Sequence, residues 1–288
     1  MEGRALCIDR RSGLWPSELE EIEGPPDELW VRGETRWLTV RPRIAIVGTR
    51  APTAYGREQA RRFARELAAA GAVIVSGLAR GIDEEAHLGA LEVGGGTLAV
   101  LGSGVDRPWP AGELAERVRA AGLLLSEFAP GEPPRRHHFP LRNRVISGLS
   151  EGVVVIEAAF ASGSLITARW AVDQGRQVLA LPGRVDHPMS AGCHRLIREG
   201  AELVERPSDV LTALGRAAPA TTAPAPPMPD DPLERALLEA LVGETLDSDE
   251  LSARLSRAVH ELLPALIELE LAGRIARGPG GLYRRVGG

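Results

Sequence analysis

Arg135-Arg136-His137-His138-Phe139-Pro140-Leu141-Arg142-Asn143-Arg144 places four arginines, two histidines and one aromatic ring in ten residues that hold no acid. Guanidinium forks bind phosphate oxygens in pairs, and a phenyl ring offers a flat face to an unstacked base. Asn143, the single asparagine of the chain, sits between two arginines and brings an amide suited to a phosphate or a base edge. The run reads in two ways, as a contact surface for a nucleic-acid strand or as a solvated basic loop.

Other residues able to do chemistry gather in loops that follow short apolar runs. Gly48-Thr49-Arg50 follows the first such run, and Ser76-Gly77-Leu78-Ala79-Arg80-Gly81-Ile82-Asp83 follows the second. Backbone amides in glycine loops and at helix starts near Gly81 and Gly163-Ser164 can bind an anion without net charge, and Arg50 and Arg80 can add point charges. The same glycines are equally explained by tight strand-to-helix turns. A dinucleotide fingerprint is absent. One glycine precedes Thr49-Arg50, Gly102-Ser103-Gly104 meets Arg107 where a third glycine is needed, and a chain without lysine has no Walker motif. Asp83 and His87 stand four apart and could form an acid–base pair, though a structural hydrogen bond at a helix start explains them better. Glu157 ends an apolar run near Ser162-Gly163-Ser164 and Thr167, where it can serve either a hydrolase or a helix cap. Nucleophile elbows, HExxH and paired metal carboxylates are missing, and Cys7 and Cys193 are too few for a metal cluster. No metal or cofactor is expected.

The elements that must position these residues begin at residue 43. Ile44–Val47, Val73–Val75, Thr97–Leu101, Leu123–Leu125, Val153–Ile156 and Val178–Leu181 read as fully buried strands, with helical patterns such as Arg57–Ala70 and Leu165–Gln174 between them. Near-continuous apolar strands alternating with helices predict an α/β fold, a Rossmann-like doubly wound and mostly parallel sheet. Such sheets bind ligands beyond the carboxyl ends of their strands, where the loops named above fall. Four segments are expected: a short lead-in over 1–42, the α/β domain over 43–206, an Ala/Pro-rich linker over 207–232 and a small domain over 233–288. The last shows three helical patterns and a hairpin around Gly278-Pro279-Gly280-Gly281, a winged-helix layout.

Charge is distributed unevenly. The formal net charge is -5, yet residues 131–206 carry ten arginines against eight acids and form the one net-positive stretch. The third helix of the small domain, expected over Ser256–Ala272, sets Glu261, Glu268 and Glu270 against Arg257 and His260. Its basic residues otherwise lie in the wing, at Arg274, Arg277, Arg284 and Arg285, so a protein-contact role suits it better than groove reading. No apolar run reaches a membrane-spanning length, and the acidic start lacks a signal-peptide layout, so a soluble cytoplasmic protein is expected.

These motifs resemble the DNA-processing protein A family (DprA/Smf). The resemblance runs through Ile46–Arg50, Ser76–Asp83 with His87, Gly102–Asp106, Ser126-Glu127, Phe139–Arg144 with Gly148–Ser150, Glu157-Ala158, Ser162–Ala168 and Pro182-Gly183. Leu266–Gly273 with Gly278–Gly281 is similar to the family's winged helix. The resemblance implies a non-enzymatic single-stranded DNA-binding protein of natural transformation and recombination. It implies dimerisation through the Rossmann-like domain, protection of incoming strands and loading of RecA past single-strand-binding protein. Carried onto this chain, the family's pocket falls on Gly48, Thr49, Arg50, Arg136, Phe139, Arg142, Asn143 and Arg144. Ser76, Gly77, Arg80, Gly81, Gly163 and Ser164 are anion-binding or structural candidates. The family's lysine shortly before Phe-Pro is replaced here by Arg136-His137-His138, and residues 1–42 resemble only the family's lead-in through Pro25–Gly33. Two alternatives stand beside this reading. One is a nucleotide-processing hydrolase of the lysine-decarboxylase-like group, whose Pro-Gly-Gly-x-Gly-Thr-x-x-Glu motif is not found. The other is a RecA-binding scaffold.

Overall fold

The computed structural model describes residues 5–217 and 228–286, and the chain divides into two compact units, Met1–Pro219 and Ala220–Gly288. In the first unit a sheet of nine strands is built from β1 (Leu6–Asp9), β2 (Glu28–Gly33), β3 (Arg43–Val47), β4 (Val73–Ser76), β5 (Thr97–Val100), β6 (Leu123–Ser126), β7 (Gly152–Val155), β8 (Gln177–Ala180) and β9 (Glu202–Leu203). Their order is β1-β2-β6-β5-β4-β3-β7-β8-β9. From β6 to β9 every neighbouring pair is parallel, while β2 runs antiparallel to β6 and β1 antiparallel to β2.

The packing follows from strand alternation. Strands β3 to β7 are buried along their whole length, so each must be covered on both faces. Ile44 and Ile46 point to one face, where α1 (Ala54–Ala69) and α2 (Ile82–Glu92) supply Ala60, Phe63, Leu67 and Ala86. Ala45 and Val47 point to the other, where α4 (His138–Gly148), α5 (Ser164–Asp173) and α6 (Ala191–Arg198) supply Val145, Ile146, Ala168, Ala171 and Cys193. Between them in sequence, α3 (Glu113–Ala121) covers Ala99 and Leu124 through Ala115 and Val118.

The first unit extends beyond 43–206 in both directions. Within the expected lead-in of residues 1–42, the described residues 5–42 belong to this unit, because β1 and β2 extend the sheet and Leu19, Ile22, Leu29 and Val31 join its core. β2 alternates buried with more exposed residues, the pattern of an antiparallel strand near a sheet edge. It lies outside the strand–helix alternation that marks the other strands. α7 (Pro207–Ala213) also belongs here, burying Val210 and Leu211 beside α1. Residues 218–227, the middle of the expected linker, lie outside the described residues.

The second unit holds α8 (Pro232–Ala240), α9 (Ser248–Leu255) and α10 (Val259–Leu271), with a three-stranded sheet of order β10-β12-β11. The strands are β10 (Thr245–Leu246), β11 (Ile275–Arg277) and β12 (Tyr283–Arg285). Asp231 and Asp247 cap α8 and α9 by accepting from backbone amides. Leu237, Leu241, Leu251, Leu262, Leu266, Leu269, Ile275 and Tyr283 form its own core, giving a winged helix. The third helix is shorter than Ser256–Ala272 because Ser256 ends α9 in the left-handed region (φ 53°).

Candidate nucleic-acid interface

The chain leaves β3 for β4, β5 and β6 on one side, then returns to place β7 and β8 on the other. β3 and β7 therefore flank a topological switch point, where loops diverge and leave a crevice. A cavity of about 510 Å³ opens there. Its floor is Val47 and Gly48, at the end of β3. A Cβ on Gly48 would lie 2.6 Å from Ile82 Cγ1 and 2.8 Å from the Glu157 carbonyl oxygen, so glycine alone fits this turn. The Thr49 amide donates to Glu157 O at 2.7 Å, and the Ile82 amide donates to Thr49 O at 3.2 Å. These bonds tie the β3 turn to the end of β7 and the start of α2.

One wall is α4 and the turn before it, presenting Arg136, Phe139, Arg142, Asn143 and Ile146. Four residues orient this helix. His138 stacks on Phe128 with ring centroids 3.9 Å apart, and its Nδ1 lies 3.1 Å from Gly102 O. Phe139 covers Gly102, where an added Cβ would meet Phe139 Cδ1 at 3.0 Å. Arg142 Nη1 donates to Gly77 O at 2.9 Å and also to Val100 O, joining α4 to the ends of β4 and β5. Arg144 donates twice to Glu127, at 2.7 Å each, and once to Gly24 O at 2.9 Å. The opposite wall is the start of α5, with Ser162, Gly163, Ser164, Ile166 and Thr167.

At the mouth the Arg50 guanidinium stands 5.7 Å from the Phe139 ring centroid, close enough for a cation–π contact. Arg50 and Arg136 are exposed, and neither has a carboxylate partner among the described residues. Burial brings the Arg142 guanidinium down to about 10, with Asp83 opposing the shift. Burial also raises the Asp83 carboxyl, against the nearby Arg142 cation. The crevice thus combines two free cations, a partly exposed aromatic face, an amide and a row of hydroxyls. Among the described residues no cluster of His, Cys, Asp and Glu could hold a metal ion.

Residues 7–215 match the family model described as DNA recombination-mediator protein A, and residues 221–281 match the model described as DprA winged helix domain. The chain belongs to the DprA family. It is 44% identical over 287 residues to Protein Smf of Escherichia coli K12, covering 96% of this chain and 76% of Smf. To the DNA processing protein DprA of Streptococcus pneumoniae R6 it is 45% identical over 199 residues, 68% of this chain and 70% of that protein. The X-ray structure of Streptococcus pneumoniae DprA aligns with a TM-score of 0.69 at 42% identity, covering 73% of this chain and 74% of that one. DNA processing protein A of Helicobacter pylori, whose structure was described for its single-stranded DNA binding mode, aligns with a TM-score of 0.67 at 30% identity, covering 73% of this chain and 95% of that one.

The DprA motif residues divide by position. Gly48, Arg50, Arg136, Phe139, Arg142, Asn143, Gly163 and Ser164 line the crevice. Arg144 does not. It sits 200° around α4 from Arg142 at about 100° per residue, and is 6% exposed in its ion pair with Glu127. Arg142 lines the crevice, but as a buried strut whose Nη1 is held by two carbonyls rather than as a free phosphate ligand. Thr49 turns its hydroxyl to the Ala51 amide, and Ser76 donates to Ile46 O. The Gly77 amide donates to Asp83, and Gly81 serves as N-cap of α2 at φ 90°. Arg80 lies beside a separate, smaller cavity next to α3.

The catalytic candidates resolve into structural roles. His87 is fully buried, with Nδ1 2.7 Å from Thr97 Oγ1, and burial brings it down to about 3. Glu157 accepts from the Thr53 amide at 2.9 Å and the Thr53 hydroxyl at 2.6 Å, steadying the cap of α1. Thr167 was visible in the motif after Ser162, and its place on the crevice wall follows from helical spacing, three residues beyond Ser164 on one face of α5.

Proposed function

We propose that this crevice binds one unstacked nucleotide of a single DNA strand, and that the protein serves natural transformation and recombination in the cytoplasm. The observation that carries the reading is Phe139, a partly exposed ring at the crevice mouth beneath Arg50. A base freed from a duplex can lie on that ring, while a paired base cannot reach it. Arg50 and Arg136 neutralise the flanking phosphates, Gly48 lets the strand approach the backbone closely, and Asn143 meets a base edge. The single-stranded DNA binding mode described for the Helicobacter pylori relative supports this assignment.

The family resemblance extends the proposal to a homodimer joined through the Rossmann-like unit, which shields incoming single strands and loads RecA onto them past single-strand-binding protein. Among the described residues no helix is long and apolar enough to cross a membrane. A hydrolase reading would place a catalytic carboxylate at Glu157, whose two oxygens hold Thr53 at the start of α1.

Labelled single- and double-stranded oligonucleotides of one sequence test the proposal. Single strands should bind more tightly, and Phe139→Ala should weaken them by about tenfold, the worth of one base–aromatic stack. Equal binding of duplex and single strand, or an unchanged Phe139→Ala, would overturn it.

A further inference from the structure

The roles given to Arg50, Arg136, Phe139 and Asn143 leave the α5 end of the crevice unexplained. There α5, ten residues long, starts at Ser164 behind Gly163, with no side-chain cap. Ser162 Oγ and Ser164 Oγ lie 2.8 Å apart, and the Ser164 amide points back to Ser162 Oγ at 3.4 Å. Thr167, one turn on, is 2% exposed and lines the cavity, yet among the described residues its hydroxyl has no hydrogen-bond partner. That oxygen is not sealed from solvent; it opens into the cavity, where a ligand oxygen can accept from it. In front of the turn the space is open: a Cβ on Gly163 would meet nothing within 4 Å. Asp83 is the single carboxylate in the lining, and its Oδ2 is held by the Gly77 amide.

We infer that the α5 end is a phosphate subsite and that the crevice accepts a complete free nucleoside 5′-monophosphate. The inference rests on the nucleotide pocket proposed above. Helix N-termini carry partial positive charge and favour anions, whereas a neutral base edge gains little from it. The phosphate sits against Ser164 and Thr167, and the base reaches back to Phe139. A cavity of about 510 Å³ lies within the range that encloses a small ligand, so no flanking strand is required. Nucleoside monophosphates released when a strand is degraded then compete with intact strands for the same crevice.

Thymidine 5′-monophosphate, thymidine and inorganic phosphate are titrated into the full-length protein by calorimetry, and as competitors against a labelled oligothymidylate. The monophosphate should bind and displace the oligonucleotide, with thymidine weaker by about tenfold, the worth of hydrogen bonds to a charged group. Thr167→Val should weaken the monophosphate about tenfold and leave thymidine unchanged. Gly163→Asp, placed in open space at a helical φ of -62°, should abolish monophosphate binding by setting a carboxylate against the phosphate. Thymidine binding as well as its monophosphate, or Thr167→Val weakening both equally, would overturn the phosphate subsite. An oligonucleotide that binds but is not displaced by the monophosphate refutes this inference alone. Calorimetric binding of the monophosphate without any oligonucleotide binding would uphold it and refute the strand-binding proposal.

Discussion

Arg136, Arg142 and Arg144 carry the same charge within nine residues and do different work. Arg136 is exposed at the crevice, Arg142 braces two strand ends, and Arg144 closes a buried pair with Glu127. Removing one partner of a buried pair leaves the other charge stranded, at a cost of roughly 3–5 kcal/mol. Arg144→Ala and Glu127→Ala should therefore each lower unfolding stability by that amount in urea titrations, whereas Arg136→Ala should leave stability within about 0.5 kcal/mol of wild type. A stable Arg144→Ala with weakened DNA binding would return Arg144 to the strand. The chemistry of this run was legible from residue types, but its direction was not. α4 begins at His138, so Arg136 stays outside the helix, while helical phase turns Arg142 and Arg144 to different sides.

Away from the crevice, polar contacts also join packed layers of the first unit. His87 on α2 faces Thr97 on β5, neutral and fully buried. Its pKa falls from an unfolded value near 6.5 to about 3, so the unfolded chain takes up a proton first as pH drops. The contribution is complete above about pH 6.5 and is lost progressively down to about pH 3, reaching roughly 2 kcal/mol of loss by pH 5. Urea unfolding at pH 7.5 and pH 5 should show that loss in wild type and a smaller one in His87→Gln; equal losses would remove His87 from the account. The central strands were legible because their unbroken apolar runs permit nothing but two-sided burial. β2 was not, because Glu28–Gly33 has one buried face and is followed only by the short 3-10 helix Thr35–Leu38, not by an α-helix that would mark a strand–helix unit.

At the scale of the whole molecule, the two units have separate cores and different charge. Exposed Glu261, Glu268 and Glu270 on α10 oppose a phosphate backbone, and we propose protein contact rather than strand contact for the winged helix. A chain ending at residue 217 should unfold cooperatively and bind single strands within about threefold of full length, since it keeps every proposed phosphate contact. A loss of more than about tenfold would place part of the strand on the second unit. The Ala/Pro tract suggests two units in the sequence, whereas nothing there signals the membership of α7, because Val210 and Leu211 are buried by contact with α1, distant in sequence.

The most direct test of the central claim is the salt dependence of single-strand binding by fluorescence anisotropy, comparing wild type with Arg136→Ala and Arg50→Ala. Each neutralised phosphate contributes about 0.7 to the slope of log affinity against log salt. Each substitution should therefore flatten that slope by about 0.7 and weaken binding at low salt, with the fold unchanged. Slopes identical to wild type in both variants would mean that the strand runs elsewhere on the molecule.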